Sequence, residues 1–157
     1  MFLFKNKDKN KDKKLEERLI INEEIDDSEI YAEIEQAIKD NPLNIKKFSI
    51  QPYFLCEKAV MANPWVIGYI KCQTEDLCLK AVKINPRTID YVKNKTEKIC
   101  IEAVKRKGNV LQFIDKEQTE DICIEALKED PTSVVYINNF TDKINEYIKL
   151  NKINNFL

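Results

Sequence analysis

The chain has 157 residues, with 26 Lys and Arg against 27 Asp and Glu for a net charge of −1, so it can fill one domain core but lacks the bulk charge that holds a polyanion. Two glycines and five prolines beside 34% charged residues leave little turn chemistry for a many-stranded sheet and cannot build a phosphate-cradling glycine loop. No apolar run approaches the roughly 18 residues of a membrane span. An all-α, noncatalytic, cytoplasmic protein is expected. In chain order, residues 1–14 carry six lysines and two aspartates. They read either as a basic arm for an acidic surface or as a disordered, solvated leader. A helix over about residues 15–25, with Leu15, Leu19 and Ile20 apolar, is expected to cover the segment that begins near residue 28.

An internal repeat then governs the chain. Ala37, Ala59, Ala81, Ala103 and Ala126 stand 22, 22, 22 and 23 residues apart. Three residues before the alanine sit Ile34, Cys56, Cys78, Cys100 and Cys123. Five after it come Pro42, Pro64, Pro86, Gly108 and Pro131, and eight after it Ile45, Ile67, Ile89, Leu111 and Val134. An aromatic follows in each copy, at Phe48, Tyr69, Tyr91, Phe113 and Tyr136.

These offsets predict two helices per repeat. Leu77, Cys78, Ala81, Val82 and Ile84 fall at helical spacing behind Thr74, which stands at an N-cap position that Thr96 and Thr119 repeat. Asn41, Asn63, Asn85 and Asp130 precede the prolines, so one dipeptide ends the first helix and caps the next, whose first residue needs no N–H. The second helix runs about two turns, as in residues 86–93, with Ile89, Tyr91 and Val92 expected on its buried side. Helices this short are marginal alone and must stack. The expected fold is therefore an α-solenoid-like stack of about five helix-turn-helix repeats, near residues 28–51, 52–73, 74–95, 96–118 and 119–140. In residues 141–157, Asn145 and Lys149 replace the cysteine and an apolar residue, which marks a C-terminal capping helix. Residues 15–157 are expected to form one domain.

The segments "TEDLCLKAVKINPRTIDYV" and "TEKICIEAVKRKGNVLQFI" resemble the short helical repeats of a domain-of-unknown-function family found in giant viruses and AT-rich bacteria. "NPWVIGYI" at residues 63–70 is similar to that family's Asn-Gly-Trp variants. The resemblance spans roughly residues 30–148 and departs from the pattern in the first copy, at Ile34. It implies a helical repeat fold and carries no activity.

Catalytic, cofactor and metal chemistry are not expected. The chain has no histidine, its five cysteines lack short paired spacings, and four of them share one helix position. A Cys-x-x-Ala stripe of small residues that lets helices approach closely is the expected role. What remains is surface. Trp65 and Arg87 share a register one residue past the proline, on successive repeats, and both are hot-spot residue types. Packing of Trp65 into a gap is the other reading. Lys39, Lys83, Lys105 and Lys128, with Met61 among them, form a row that reads as a phosphate-tracking stripe or as a solvated face complementing helix dipoles. The leading functional expectation is a protein-interaction module, adaptor or inhibitor, such as a viral or mobile-element product acting on a host factor. The alternative is nucleic-acid binding through Lys83, Lys105, Lys128 and the N-terminal arm, with Trp65 or Tyr53 stacking on bases.

Overall fold

The computed structural model describes residues 27–153; the expected leader and the helix over residues 15–25 lie outside them. Every regular element among the described residues is helical. The chain divides after Cys72 into two compact units.

The first unit holds α1 (Asp27–Asp40), the 3-10 helix η1 (Pro42–Lys47), α2 (Tyr53–Ala62) and η2 (Pro64–Tyr69). The second holds α3 (Glu75–Ile84), η3 (Pro86–Tyr91), α4 (Glu97–Arg106), η4 (Gly108–Phe113), α5 (Glu120–Glu129), η5 (Pro131–Tyr136) and α6 (Asp142–Leu150). Within each unit α helices pack on neighbouring α helices and η helices on neighbouring η helices, so the hairpins stack as repeats. The core follows the predicted registers: Leu55, Cys56, Ala59 and Val60 in α2 are buried, as are Leu77, Cys78, Ala81 and Val82 in α3 and their counterparts in α4 and α5. Cysteine and alanine one turn apart keep these faces thin, and bulkier side chains interdigitate on either side.

The Asn-Pro junctions work as the spacing implies. Asn63, Asn85 and Asp130 donate their backbone N–H to Ala59, Ala81 and Ala126, closing the α helix. Their side chains accept from Trp65, Arg87 and Thr132 N–H, opening the η helix. Thr74, Thr119 and Thr141 cap their helices by accepting from the third residue on. Thr96 does not; its hydroxyl donates to Glu75 Oε1 at 2.7 Å. Thr119 makes the equivalent bond, to Glu97 Oε1 at 3.0 Å, and keeps its cap, so the carboxylate on the preceding repeat does not account for the missing cap at Thr96.

Two further findings correct the expectations. The second helix of each repeat is a tight 3-10 turn pair, in which residues three apart eclipse. Ile89 and Val92 therefore stack inward, while Tyr91, expected to be buried, is 48% exposed. A glutamine clamp also ties the loops together. Gln118 donates to the carbonyls of Ile114 (2.7 Å) and Tyr136 (2.9 Å) and accepts from Asn138 N–H (2.9 Å). Gln51 does the same with Ile45, Tyr69 and Lys71, and Gln73 binds Tyr91 and Lys93. At the fourth repeat that position is Lys95.

α6 closes the second unit with the polarity expected of a cap. Ile144 is buried against α5, and Asn145 and Lys149 are exposed.

Candidate functional site

Equivalent positions in a repeat share a backbone, so the copies themselves report which outward residues the fold requires. On α3, α4 and α5 the outward stripe at spacing i, i+3, i+4, i+7 reads Asp76-Leu79-Lys80-Lys83, Lys98-Ile101-Glu102-Lys105 and Asp121-Ile124-Glu125-Lys128. Both ends are charged. On α2 the same stripe reads Phe54-Glu57-Lys58-Met61, apolar at both ends and charged in the middle. Tyr53 stands where α3, α4 and α5 begin with Glu75, Glu97 and Glu120. Tyr53 is 43% exposed, Phe54 40% and Met61 57%. Phe54 meets the ring of Tyr31 on α1 edge-on, with centroids 5.6 Å apart.

The next element continues the departure. On η2, Trp65 is 40% exposed and Tyr69 is exposed as well, with Lys46 of η1 over its ring at 5.4 Å. The register of Trp65 carries Arg87, Asn109 and Thr132 in the second unit. The second repeat thus brings Tyr53 and Trp65 onto successive elements of the first unit. Arg87, Lys83, Lys105 and Lys128 all lie in the second unit, where Arg87 is exposed at the start of η3.

The lysine row is heavily paired. Glu125 accepts from Lys128 at 2.5 Å and lies 3.9 Å from Lys105, and Lys39 reaches Glu35 at 3.1 Å. Lys83 makes no ion pair among the described residues. Lys105 and Lys128 line an open groove of about 400 Å³ floored by Ile101 and Ile124, where Lys143 bonds Asp121 at 2.8 Å. The partner ammonium holds Asp121 below its ordinary value, and the carboxylate raises Lys143 in return. Around α2, hydrogen bonds from Lys58 (2.7 Å) and Lys39 lower Glu35.

Burial pushes the thiols of Cys56, Cys78, Cys100 and Cys123 up to about 11, which keeps them protonated at neutral pH. Cys72 is exposed, and all five cysteines are free. No cluster of three His, Cys, Asp or Glu able to hold a metal ion occurs among the described residues, and none of their helices is long and apolar enough to cross a membrane.

Residues 74–118 match a family described as a domain of unknown function, DUF4116. The match covers the third and fourth repeats, from the cap of α3 to the end of the loop after η4. No curated protein and no solved structure matches the chain.

The sequence pointed to Trp65 and, for base stacking, to Tyr53; Met61 entered only as the interruption of the lysine row, and Phe54 was missed. The signal was present: an aromatic at a register where later copies place Asp76, Lys98 and Asp121. Tyr69 was missed for another reason, because its recurrence as an aromatic looked like a core requirement.

Proposed function

We propose that this chain is a noncatalytic protein-interaction module, an adaptor or inhibitor that presents its second repeat to a larger protein. One observation carries the reading: where the three later repeats place outward charges the second places Tyr53, Phe54 and Met61, and it adds Trp65 at a register that elsewhere carries Leu43, Arg87, Asn109 and Thr132, while the first repeat shares only the tyrosine, at Tyr31. Aromatic residues and methionine are enriched at the cores of protein interfaces and charged residues are depleted there. A phosphate-tracking surface calls for the opposite exchange. The sharing of Glu125 between Lys105 and Lys128 also weakens the lysine row as an anion site. Five free thiols are consistent with a reducing, cytoplasmic setting.

The test is capture of tagged protein from lysate of its source organism after nuclease treatment, comparing wild type with Trp65→Thr and with Tyr53→Glu/Met61→Lys. These variants import residues found at the same registers of other repeats, so folding is preserved. A defined protein retained near stoichiometry by wild type and lost by either variant supports the reading. Loss of all bound material on nuclease treatment overturns it in favour of nucleic acid.

A further inference from the structure

Charge separates the η helices of the first unit from those of the second. Residues 41–52 and 63–72, which hold η1, η2 and the loops after them, carry Lys46, Lys47 and Lys71 and no aspartate or glutamate, in a chain with 27 acids. In the second unit each corresponding stretch has at least one carboxylate: Asp90 in η3, Asp115 after η4 and Asp130 before η5. The acid-free elements also expose apolar surface. Trp65 is 40% and Tyr69 48% exposed, and Leu43, at the Trp65 register one repeat earlier, is half-buried. Residues three apart eclipse in a 3-10 helix, so Leu43 lies in line with Lys46 and Trp65 in line with Gly68. Gly68 leaves bare backbone where the other copies carry Lys46, Asp90, Gln112 and Val135. The two elements meet across this face, with the Lys46 ammonium 5.4 Å from the centre of the Tyr69 ring. Lys46 makes no ion pair among the described residues, and an ammonium over a ring keeps donors for a carboxylate. Lys71 is engaged elsewhere, donating to the Ser49 carbonyl at 2.8 Å.

We propose that the η1–η2 face binds a short acidic segment of the larger protein that also carries large apolar side chains. Its carboxylates meet Lys46 and Lys47, and its apolar groups lie on Leu43, Trp65 and Tyr69. The proposal rests on the reading of the second repeat as an interaction face and adds the chemistry of what that face meets. Charge complementarity selects the occupant. An acidic segment gains from the lysines with no carboxylate on η1 or η2 to repel it, whereas a basic segment meets like charge. Apolar contact is needed as well, because exposed ion pairs contribute at most about 1 kcal/mol each. Nucleic acid fits this face less well: a phosphate chain needs cations repeated along its path, and past Lys46 and Lys47 the surface turns apolar.

Random peptides displayed on phage and selected on the full chain test this without any lysate. Binders are expected to combine Asp or Glu with Leu or Phe. A selected tryptophan-free peptide, made synthetically, is expected to shift the emission of Trp65, the only tryptophan of the chain, with a Kd of about 10–100 µM. Lys46→Asp imports the residue that η3 carries at the same register, so folding is preserved, and it is expected to weaken binding at least about tenfold. Raising salt from about 50 to 500 mM is expected to weaken the wild type severalfold. Selection of no binder, binders without an acidic bias, or binding that Lys46→Asp or Trp65→Thr leaves unchanged overturns the proposal. A single-stranded oligonucleotide that shifts Trp65 emission at lower concentration than any selected peptide overturns it too, in favour of nucleic acid. If the lysate capture loses its protein with Trp65→Thr but keeps it with Lys46→Asp, the acidic partner fails while the function proposed above stands.

Discussion

Replacing Gln118 with alanine removes a clamp that spans two loops. Its amide donates twice, at 2.7 and 2.9 Å, and its carbonyl accepts once at 2.9 Å, joining the loop after η4 to the loop after η5. Net contributions of about 0.5–1.5 kcal/mol per bond, reduced because water reaches part of the site, give an expected loss of about 2 kcal/mol. The reciprocal change is Lys95→Gln, which installs the clamp at the one α-helix entry between Gln51 and Gln118 that lacks it. The carbonyl of Phe113 and the N–H of Asp115 stand at the registers that Gln73 binds in the preceding loop. A gain of about 1 kcal/mol is expected, less than the loss because a lysine ammonium can already donate to one carbonyl. Urea denaturation followed by far-ultraviolet circular dichroism measures both, with midpoints moving in opposite directions at constant m value. If Gln118→Ala changes stability by less than about 0.5 kcal/mol, within the range of ordinary surface substitutions, the clamp is only a consequence of stacking.

Three further outcomes are expected. Gly108→Ala loses about 3 kcal/mol in thermal or chemical unfolding, because a Cβ there runs into the backbone oxygen of Ala126 and falls 2.9 Å from Asp130 Cβ. Ser133→Ala gains about 1 kcal/mol in the same assay, since the buried Ser133 hydroxyl has no hydrogen-bond partner. Burial raises four thiols from the ordinary 9.0 to about 11, so their stabilisation is complete below the unfolded value and is lost as pH rises from about 9 to 11. Denaturation midpoints across that window are expected to fall, whereas replacing Cys78, Cys100 and Cys123 by alanine removes their share of the fall; at pH 8 a thiol reagent is expected to modify Cys72 well before the other four.

The fold was legible because each repeat states its requirements several times. Alanine at one register and asparagine before proline at another have local physical meanings, small size and capping, that tertiary context leaves intact. The burial of Tyr91 was misjudged because six residues are too few for their spacing to separate a 3.6-residue turn from a three-residue turn. The glutamine clamp escaped because Gln118 and Tyr136 lie 18 residues apart and a polar residue in a loop ordinarily reads as solvated. The candidate site was half legible. Met61 interrupts the lysine row visibly, but Phe54 becomes informative only when its outward direction is known, and that depends on how α1 and α2 pack.

The fourth repeat departs from its siblings in the other direction, by losing local stabilisers together. Lys95 replaces the clamping glutamine, Thr96 makes no side-chain cap bond, Lys107 replaces the capping asparagine, and Gly108 replaces proline. Glycine also restores a backbone N–H that proline lacks, and that donor is met by the carboxylate of Glu129 from the following repeat. η4 is thus held by its neighbours rather than by its own sequence, and each missing cap is worth about 1 kcal/mol. Local opening should therefore begin there. In native-state hydrogen exchange, Val110 and Ile114 N–H, bonded to Lys107 and Leu111 carbonyls, are expected to exchange about tenfold faster than Thr88 and Val92 N–H in the same bonds of η3. Lys107→Asn, which restores the cap to Asn109 N–H, is expected to close most of that gap. Equal protection of η3 and η4 in the wild type would mean that the contacts from α5 and η5 replace the lost caps in full, and local sequence would then say nothing about where this stack opens.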